Sequence, residues 1–167
     1  MAKATQLIFQ ILEAEKDKLF QYASYRLHDI RDVEDVMQNV YVKLIDKPEL
    51  FGRVENKKAY IYRIVCNECT NVLREKSRTF LYDGDDFAKL EPEGLQPENF
   101  EEEFMIINRL LAILPQEQAD AIRLRLHSGL SYQEIADVMD VPLPTAKARF
   151  RYGIEKIRNS LKSMNLI

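Results

Sequence analysis

The sequence is poor in the residues that staple or break a chain: two cysteines, two histidines, five glycines and six prolines among 167 residues. With only Cys66 and Cys69, no disulfide framework is possible, and a reducing interior is the natural home for such thiols. His28 and His127 lie outside the spacing of a zinc site built on that Cys66-Asn67-Glu68-Cys69 run, so neither a metal nor another cofactor is expected. The scarcity of Gly and Pro argues against a turn-rich fold and favours helices. No run of about 18 apolar residues occurs, which excludes a membrane-spanning helix and any membrane insertion through one. The start, Met1-Ala2-Lys3-Ala4-Thr5, lacks the blocks of a secretory signal, and a cytoplasmic location is expected.

What is present is ordinary for a globular chain, with 46% apolar and 31% charged residues, and the length admits one domain or two small ones. The net charge of −3 would argue against a nucleic-acid partner if it were evenly spread. It is not. Residues 53 to 78 carry seven Lys or Arg against three Glu, and residues 143 to 167 carry six against one. Between them, residues 83 to 103 carry nine acids against Lys89 alone. A phosphate backbone responds to charge within a Debye length of about 8 to 10 Å, so two basic segments remain candidates for nucleic acid.

Apolar residues recur at helical spacing from Leu7 to Leu27, including Leu12, Leu19, Phe20 and Ala23, and a second helix is predicted from about Arg31 to Ile45. Pro48 and Gly52 punctuate a short connection, after which Asn56 is placed to cap a helix from about Lys57 to Arg78. This makes a first domain of three helices over residues 1–79. Periodicity fails from Phe80 to Asn99, where Asp83-Gly84-Asp85-Asp86, Pro92, Gly94 and Pro97 predict a flexible acidic linker over residues 80–100. Helical spacing resumes at Phe104, Ile107, Leu110, Leu111 and Leu114, and Pro115 suits the first turn of a helix reaching about His127. The fold class expected is all-α, two small helical domains, the second spanning residues 101–167.

The second domain carries the strongest local signal. Ser131-Tyr132-Gln133-Glu134 is a capping box, in which the Ser hydroxyl accepts from the N–H of Glu134 and the Glu carboxylate accepts from the N–H of Ser131. A short helix follows, Asp140-Val141-Pro142-Leu143 makes a turn, and Pro144 fits the start of the next helix. On that helix Ala146, Phe150, Ile154, Ile157 and Leu161 share a stripe about 80° wide. Lys147, Ala148, Arg149, Arg151 and Tyr152 lie opposite or on its flanks, the mixture expected of a helix meeting phosphates and base edges. A capped short helix, a tight turn and a basic second helix together predict a helix-turn-helix on duplex DNA.

Leu114-Pro115-Gln116-Glu117-Gln118, Gly129-Leu130-Ser131-Tyr132-Gln133-Glu134-Ile135-Ala136 and Val141-Pro142-Leu143-Pro144-Thr145-Ala146-Lys147-Ala148-Arg149 resemble region 4 of the extracytoplasmic function (ECF) sigma factors. The resemblance implies that Thr145, Lys147, Ala148, Arg149, Arg151 and Tyr152 meet the −35 promoter element. Pro144 and Ala148 stand where the family usually has Gly and Ser. Asp35-Val36-Met37-Gln38, within Val33 to Leu44, resembles region 2.2, which binds core RNA polymerase; the outward residues there are Asp35, Gln38, Asn39 and Val42.

On the helix from Lys57, Ile61, Val65, Cys69 and Val72 share one side, and Tyr60, Arg63, Asn67, Asn71, Arg74 and Arg78 share the other. An aromatic ring with cations and amides suits single-stranded DNA, through stacking, phosphate neutralisation and base-edge hydrogen bonds. Ala59-Tyr60-Ile61-Tyr62-Arg63-Ile64 with Asn67 and Asn71 resembles regions 2.3 and 2.4, which melt and read the −10 element, with Tyr60 where Trp is common. The resemblance implies a factor that performs no covalent chemistry itself, has no catalytic residues, and works with core RNA polymerase, promoter DNA and an anti-sigma factor. Two other readings differ in class. A self-sufficient helix-turn-helix regulator would need a dimerisation helix, which is lacking, and a thiol or metal enzyme would rest on Cys66 and Cys69 alone.

Overall fold

The computed structural model describes the backbone of residues 2–83 and 101–166, and side chains over residues 2–79 and 105–166. Eight helices and no strand occur among the described residues, so the all-α expectation holds. The chain divides into two compact units between Glu93 and Gly94. Most of the expected acidic linker, residues 84–100, lies outside the described residues.

In the first unit, α1 (Ala2–Leu27) ends on His28, whose φ of 59° places it in the left-handed region and turns the chain sharply. Asp29 then caps α2 (Ile30–Asp46), its carboxylate accepting from the N–H of Arg31 at 2.9 Å. Asn56 caps α4 (Lys57–Asp83) as expected, its side-chain oxygen accepting from the N–H of Ala59 at 2.9 Å. Two differences from the sequence reading appear. The stretch between α2 and α4 is itself a short helix, α3 (Pro48–Arg53), because Pro48 fits a first helical turn and Phe51 gains a buried site. The first unit therefore has four helices, not three. The last of them runs on to Asp83 rather than ending near Arg78.

The core of this unit joins Leu12 and Leu19 of α1, Val36 and Val40 of α2, Phe51 of α3, and Ile61 and Val65 of α4, all buried. Each such side chain contributes about 1.5–3 kcal/mol through removal from water. Phe20, expected inside, is 37% exposed; Tyr22 takes the interior place instead. Arg26 is only 6% exposed, with its guanidinium donating to Tyr22 Oη at 3.3 Å, the Cys66 carbonyl at 3.1 Å and Thr70 Oγ1 at 3.2 Å. A buried cation is tolerable here because these acceptors replace water.

In the second unit, α5 (Glu101–Ile113) leads to α6 (Gln116–Leu126), with Pro115 at its cap. Gly129, at φ +68°, closes α6 in a conformation that a side chain would strain. Beyond it come α7 (Tyr132–Met139) and α8 (Leu143–Ser163). Phe150, Ile154 and Ile157 of α8 pack on Leu111, Leu114, Ala119 and Ile122, which confirms the apolar stripe. Where α8 passes α6 the approach is very close. A Cβ on Gly153 would lie 2.7 Å from Ile122 Cδ1 and 3.3 Å from Gln118 Cβ, so only glycine fits without a shift.

Candidate nucleic-acid interfaces

The helix-turn-helix is built as the sequence predicts. Ser131 Oγ accepts from the N–H of Glu134 and Glu134 Oε1 accepts from the N–H of Ser131, both at 3.1 Å. At the other end of α7, Asp140 adopts φ 55° and the N–H of Val141 donates back to the Ala136 carbonyl at 3.0 Å, closing a Schellman-type turn. Pro142 caps α8 and Pro144 lies in its first turn, where a missing N–H costs nothing. Replacing Ser131 by Ala is expected to cost about 1 kcal/mol. The measurement is a denaturant midpoint for the second unit, and an unchanged midpoint would show that the box does not hold α7.

A clamp not foreseen from the sequence joins the three helices. The Arg125 guanidinium sits 4.5 Å from the centre of the Tyr132 ring and donates to the Leu130 carbonyl at 3.0 Å. The Tyr132 ring in turn meets Phe150 edge-on at 5.6 Å. Cation–π and edge-to-face contacts thus fix α7 between α6 and α8. Nearby, His127 is held below the ordinary imidazole pKa, first by burial of part of its ring and then by the Arg123 guanidinium.

The outward side of α8 carries Lys147, Arg151 and Tyr152 exposed, with Thr145, Ala148 and Arg149 partly covered. Tyr152 is 49% exposed, and the Arg151 guanidinium lies 5.2 Å from the centre of its ring, a cation–π contact on the outer side of the helix. All six predicted residues therefore share the start and outer side of one helix.

In the first unit, Arg63, Asn67, Asn71, Arg74 and Arg78 form an exposed row along α4. Tyr60 begins the row half-buried, its ring centre 6.2 Å from that of Phe51 at 58°. The short helix α3 thus supports the one aromatic of the row, a role that the sequence left hidden. Arg78 also lies 3.6 Å from Glu75, an exposed pair of little energetic weight. Beneath the row, Tyr62 is fully buried and donates to Glu15 Oε2 at 2.9 Å, which locks α4 to α1.

On α2, Asp35, Gln38, Asn39 and Val42 all face outward, and Val42 is 65% exposed. Gln38 borders a shallow groove with Lys16, Phe20 and Tyr41. Asn39 also reaches sideways, donating to Glu68 Oε2 of α4 at 3.5 Å. Cys69 is buried and the Cys66 thiol donates to Tyr22 Oη at 3.1 Å. Among the described residues, no three His, Cys, Asp or Glu side chains are grouped to hold a metal ion.

Comparison with known proteins bears on both units. Residues 11–79 match Sigma-70 region 2, and residues 104–157 match Sigma-70, region 4. The ECF RNA polymerase sigma-E factor of Escherichia coli (strain K12) is 31% identical over 146 residues, covering 80% of this chain and 75% of that one. The chain belongs to the ECF RNA polymerase sigma factors. The ECF sigma factor SigW of Bacillus subtilis (strain 168) is 22% identical over 165 residues, 92% of this chain and 88% of its own. The fold is shared with the sigma factor RpoE in complex with the anti-sigma factor NepR from Bartonella quintana, at a TM-score of 0.78 and 24% identity over 93% of this chain and 96% of that one. It is shared also with CnrH in complex with the cytosolic domain of CnrY, at 0.71 and 20% identity over 97% and 94%.

As an ECF sigma factor the chain is a promoter-recognising subunit of RNA polymerase, a transcription initiation factor. Its helices α1 to α4 fall within or overlap the region 2 match, and α5 to α8 the region 4 match. No described helix of this sigma factor is long and apolar enough to cross a membrane.

Proposed function

We propose that the unit ending with α4 and residues 101–167 act as separate promoter-engaging domains joined by an acidic linker that begins after Asp83, and that their work is divided among three surfaces. Asp35, Gln38, Asn39 and Val42 of α2 engage core polymerase. The row Tyr60, Arg63, Asn67, Asn71, Arg74 and Arg78 of α4 captures an unstacked base and the separated strand at −10. Thr145, Lys147, Ala148, Arg149, Arg151 and Tyr152 of α8 dock at −35. The reading is supported above all by the exposed row on α4, which places one aromatic, three guanidinium groups and two amides along one side of a helix.

The factor supplies binding energy and no covalent chemistry; unstacking costs a few kcal/mol per step, which base capture and phosphate contacts must offset. We place it in the cytoplasm, where polymerase and promoter are. An anti-sigma factor is its further partner, a reading supported by two structural neighbours described in complex with such a protein or with a partner's cytosolic domain. The test is run-off transcription with purified core enzyme. A promoter-specific transcript that depends on this chain is expected, and failure on every genomic template would overturn the proposal.

A further inference from the structure

One charged group on α4 faces neither solvent nor the exposed row. Glu68 is 6% exposed and sits in the seam between α2 and α4. Its two oxygens accept from Asn39 Nδ2 at 3.5 Å and from Lys43 Nζ, two α2 residues one helical turn apart. A carboxylate taken out of water is costly even when paired, and replacing a whole buried ion pair by well-packed apolar side chains of similar volume is often neutral or stabilising. Stability alone therefore does not explain Glu68. What a carboxylate with two donors has, and an apolar contact lacks, is directional partners on the facing helix.

That geometry links two surfaces. Asn39 lies on the outward side of α2 with Gln38 and Val42, and Glu68 lies between Asn67 and Asn71 along α4. Farther along the same seam, Lys76 Nζ of α4 pairs with Asp32 of α2. Two charge ties thus lie along a seam whose helices are also packed through Val36, Val40, Ile61 and Val65. We propose that Glu68 is a positioning residue: by accepting from Asn39 and Lys43 it fixes the α4 row in register with the polymerase-facing side of α2, so that a factor seated on core presents Asn67 and Asn71 correctly to the −10 strand. The proposal rests on the division of surfaces given above.

The test uses the full chain in holoenzyme, with core polymerase at saturation, and reads strand separation at −10 by permanganate reactivity. Glu68→Leu and Lys43→Met are each expected to lower strand separation by about 5-fold, with the double variant no worse than the poorer single, a coupling of the size seen for side chains in contact. Glu68→Gln keeps one acceptor oxygen but sets an NH2 donor where the second carboxylate oxygen stood, so it can satisfy Lys43 or Asn39 but not both and should give an opening between those of Glu68→Leu and the unaltered protein. Core affinity should stay near that of the unaltered protein, and so should the melting temperature of free Glu68→Leu, which leaves no buried charge. Lys43→Met, which strands the Glu68 carboxylate, should melt lower and is read at a temperature where its free chain is still folded. Full opening by Glu68→Leu, additive losses in the double variant, or a loss matched by unfolding of the free chain would each overturn the proposal. Arg74→Ala serves as the control for the underlying reading. If Arg74→Ala leaves opening intact, the assignment of the α4 row is wrong; if it impairs opening while Glu68→Leu does not, only the positioning role is wrong.

Discussion

Alanine at Lys147, Arg149 and Arg151 together is expected to weaken holoenzyme binding to the upstream promoter duplex by at least about 100-fold, because each guanidinium or ammonium that meets a base edge or phosphate contributes about 1–3 kcal/mol. Lys147 and Arg151 are exposed and Arg149 partly so, and none belongs to the apolar cluster around Phe150, so the helix itself should persist. Alanine is also the strongest helix former. Filter binding over a range of salt separates two kinds of contact. A lost phosphate contact lowers the salt slope by about one unit per residue, whereas a lost base contact relaxes sequence preference at unchanged slope. If affinity, slope and preference all stayed as in the unaltered protein, α8 would not be the −35 reader.

Gly153→Leu should unfold the second unit while leaving the first intact. A bare Cβ at this position already comes within 2.7 Å of the Ile122 terminal methyl and 3.3 Å of Gln118 Cβ, and the Gln118 carbonyl is 3.5 Å away. Ile122 cannot easily yield, since it is buried among Leu111, Leu114 and Ala119. Overpacking usually costs about 1–3 kcal/mol for added methylenes, and a whole isobutyl group forced between two helices should reach about 3 kcal/mol or more. Gly153→Ala should be milder than the Leu variant, because it adds only the Cβ that Ile122 Cδ1, at 2.7 Å, must shift to admit, and alanine returns about 1 kcal/mol of helix propensity. Circular dichroism should show the Leu variant losing the signal of α5 to α8, with a cooperative melt remaining for α1 to α4. A single melt at the original temperature would show that the close approach is not limiting.

Much of this architecture is written in spacing and end signals. The periodic runs that make α1, α2 and α4, the caps at Asn56 and Ser131, and the apolar stripe of α8 all depend on neighbours a few positions apart, which periodicity and cap chemistry report directly. Other features were illegible for a common reason, since each depends on a partner distant in the chain. Helix α3 looks like a connection because Pro48 and Gly52 are breakers in isolation; only the site that Phe51 fills makes one helical turn worthwhile. Nothing in the local spacing marks Arg26 or Glu68 as buried, since their partners Thr70 and Asn39 lie far away in the chain. Gly153 looks like a weak point in α8 until Ile122 is brought against it. In the α4 row the spacing finds which residues share a side, yet it cannot show that Tyr60 leans on Phe51.

The turn between α7 and α8 has a consequence for the act of docking itself. Pro142 and Pro144 fix φ on both sides of Leu143, while the left-handed Asp140 and the Val141 to Ala136 hydrogen bond settle the preceding residues. Such a turn has little conformational entropy left to lose on meeting a rigid duplex. On the proposed docking of α8 at −35, the helix is preorganised before encounter, so contacts with the groove would translate into affinity with a small ordering penalty, and a misfit sequence would not be accommodated by bending the turn.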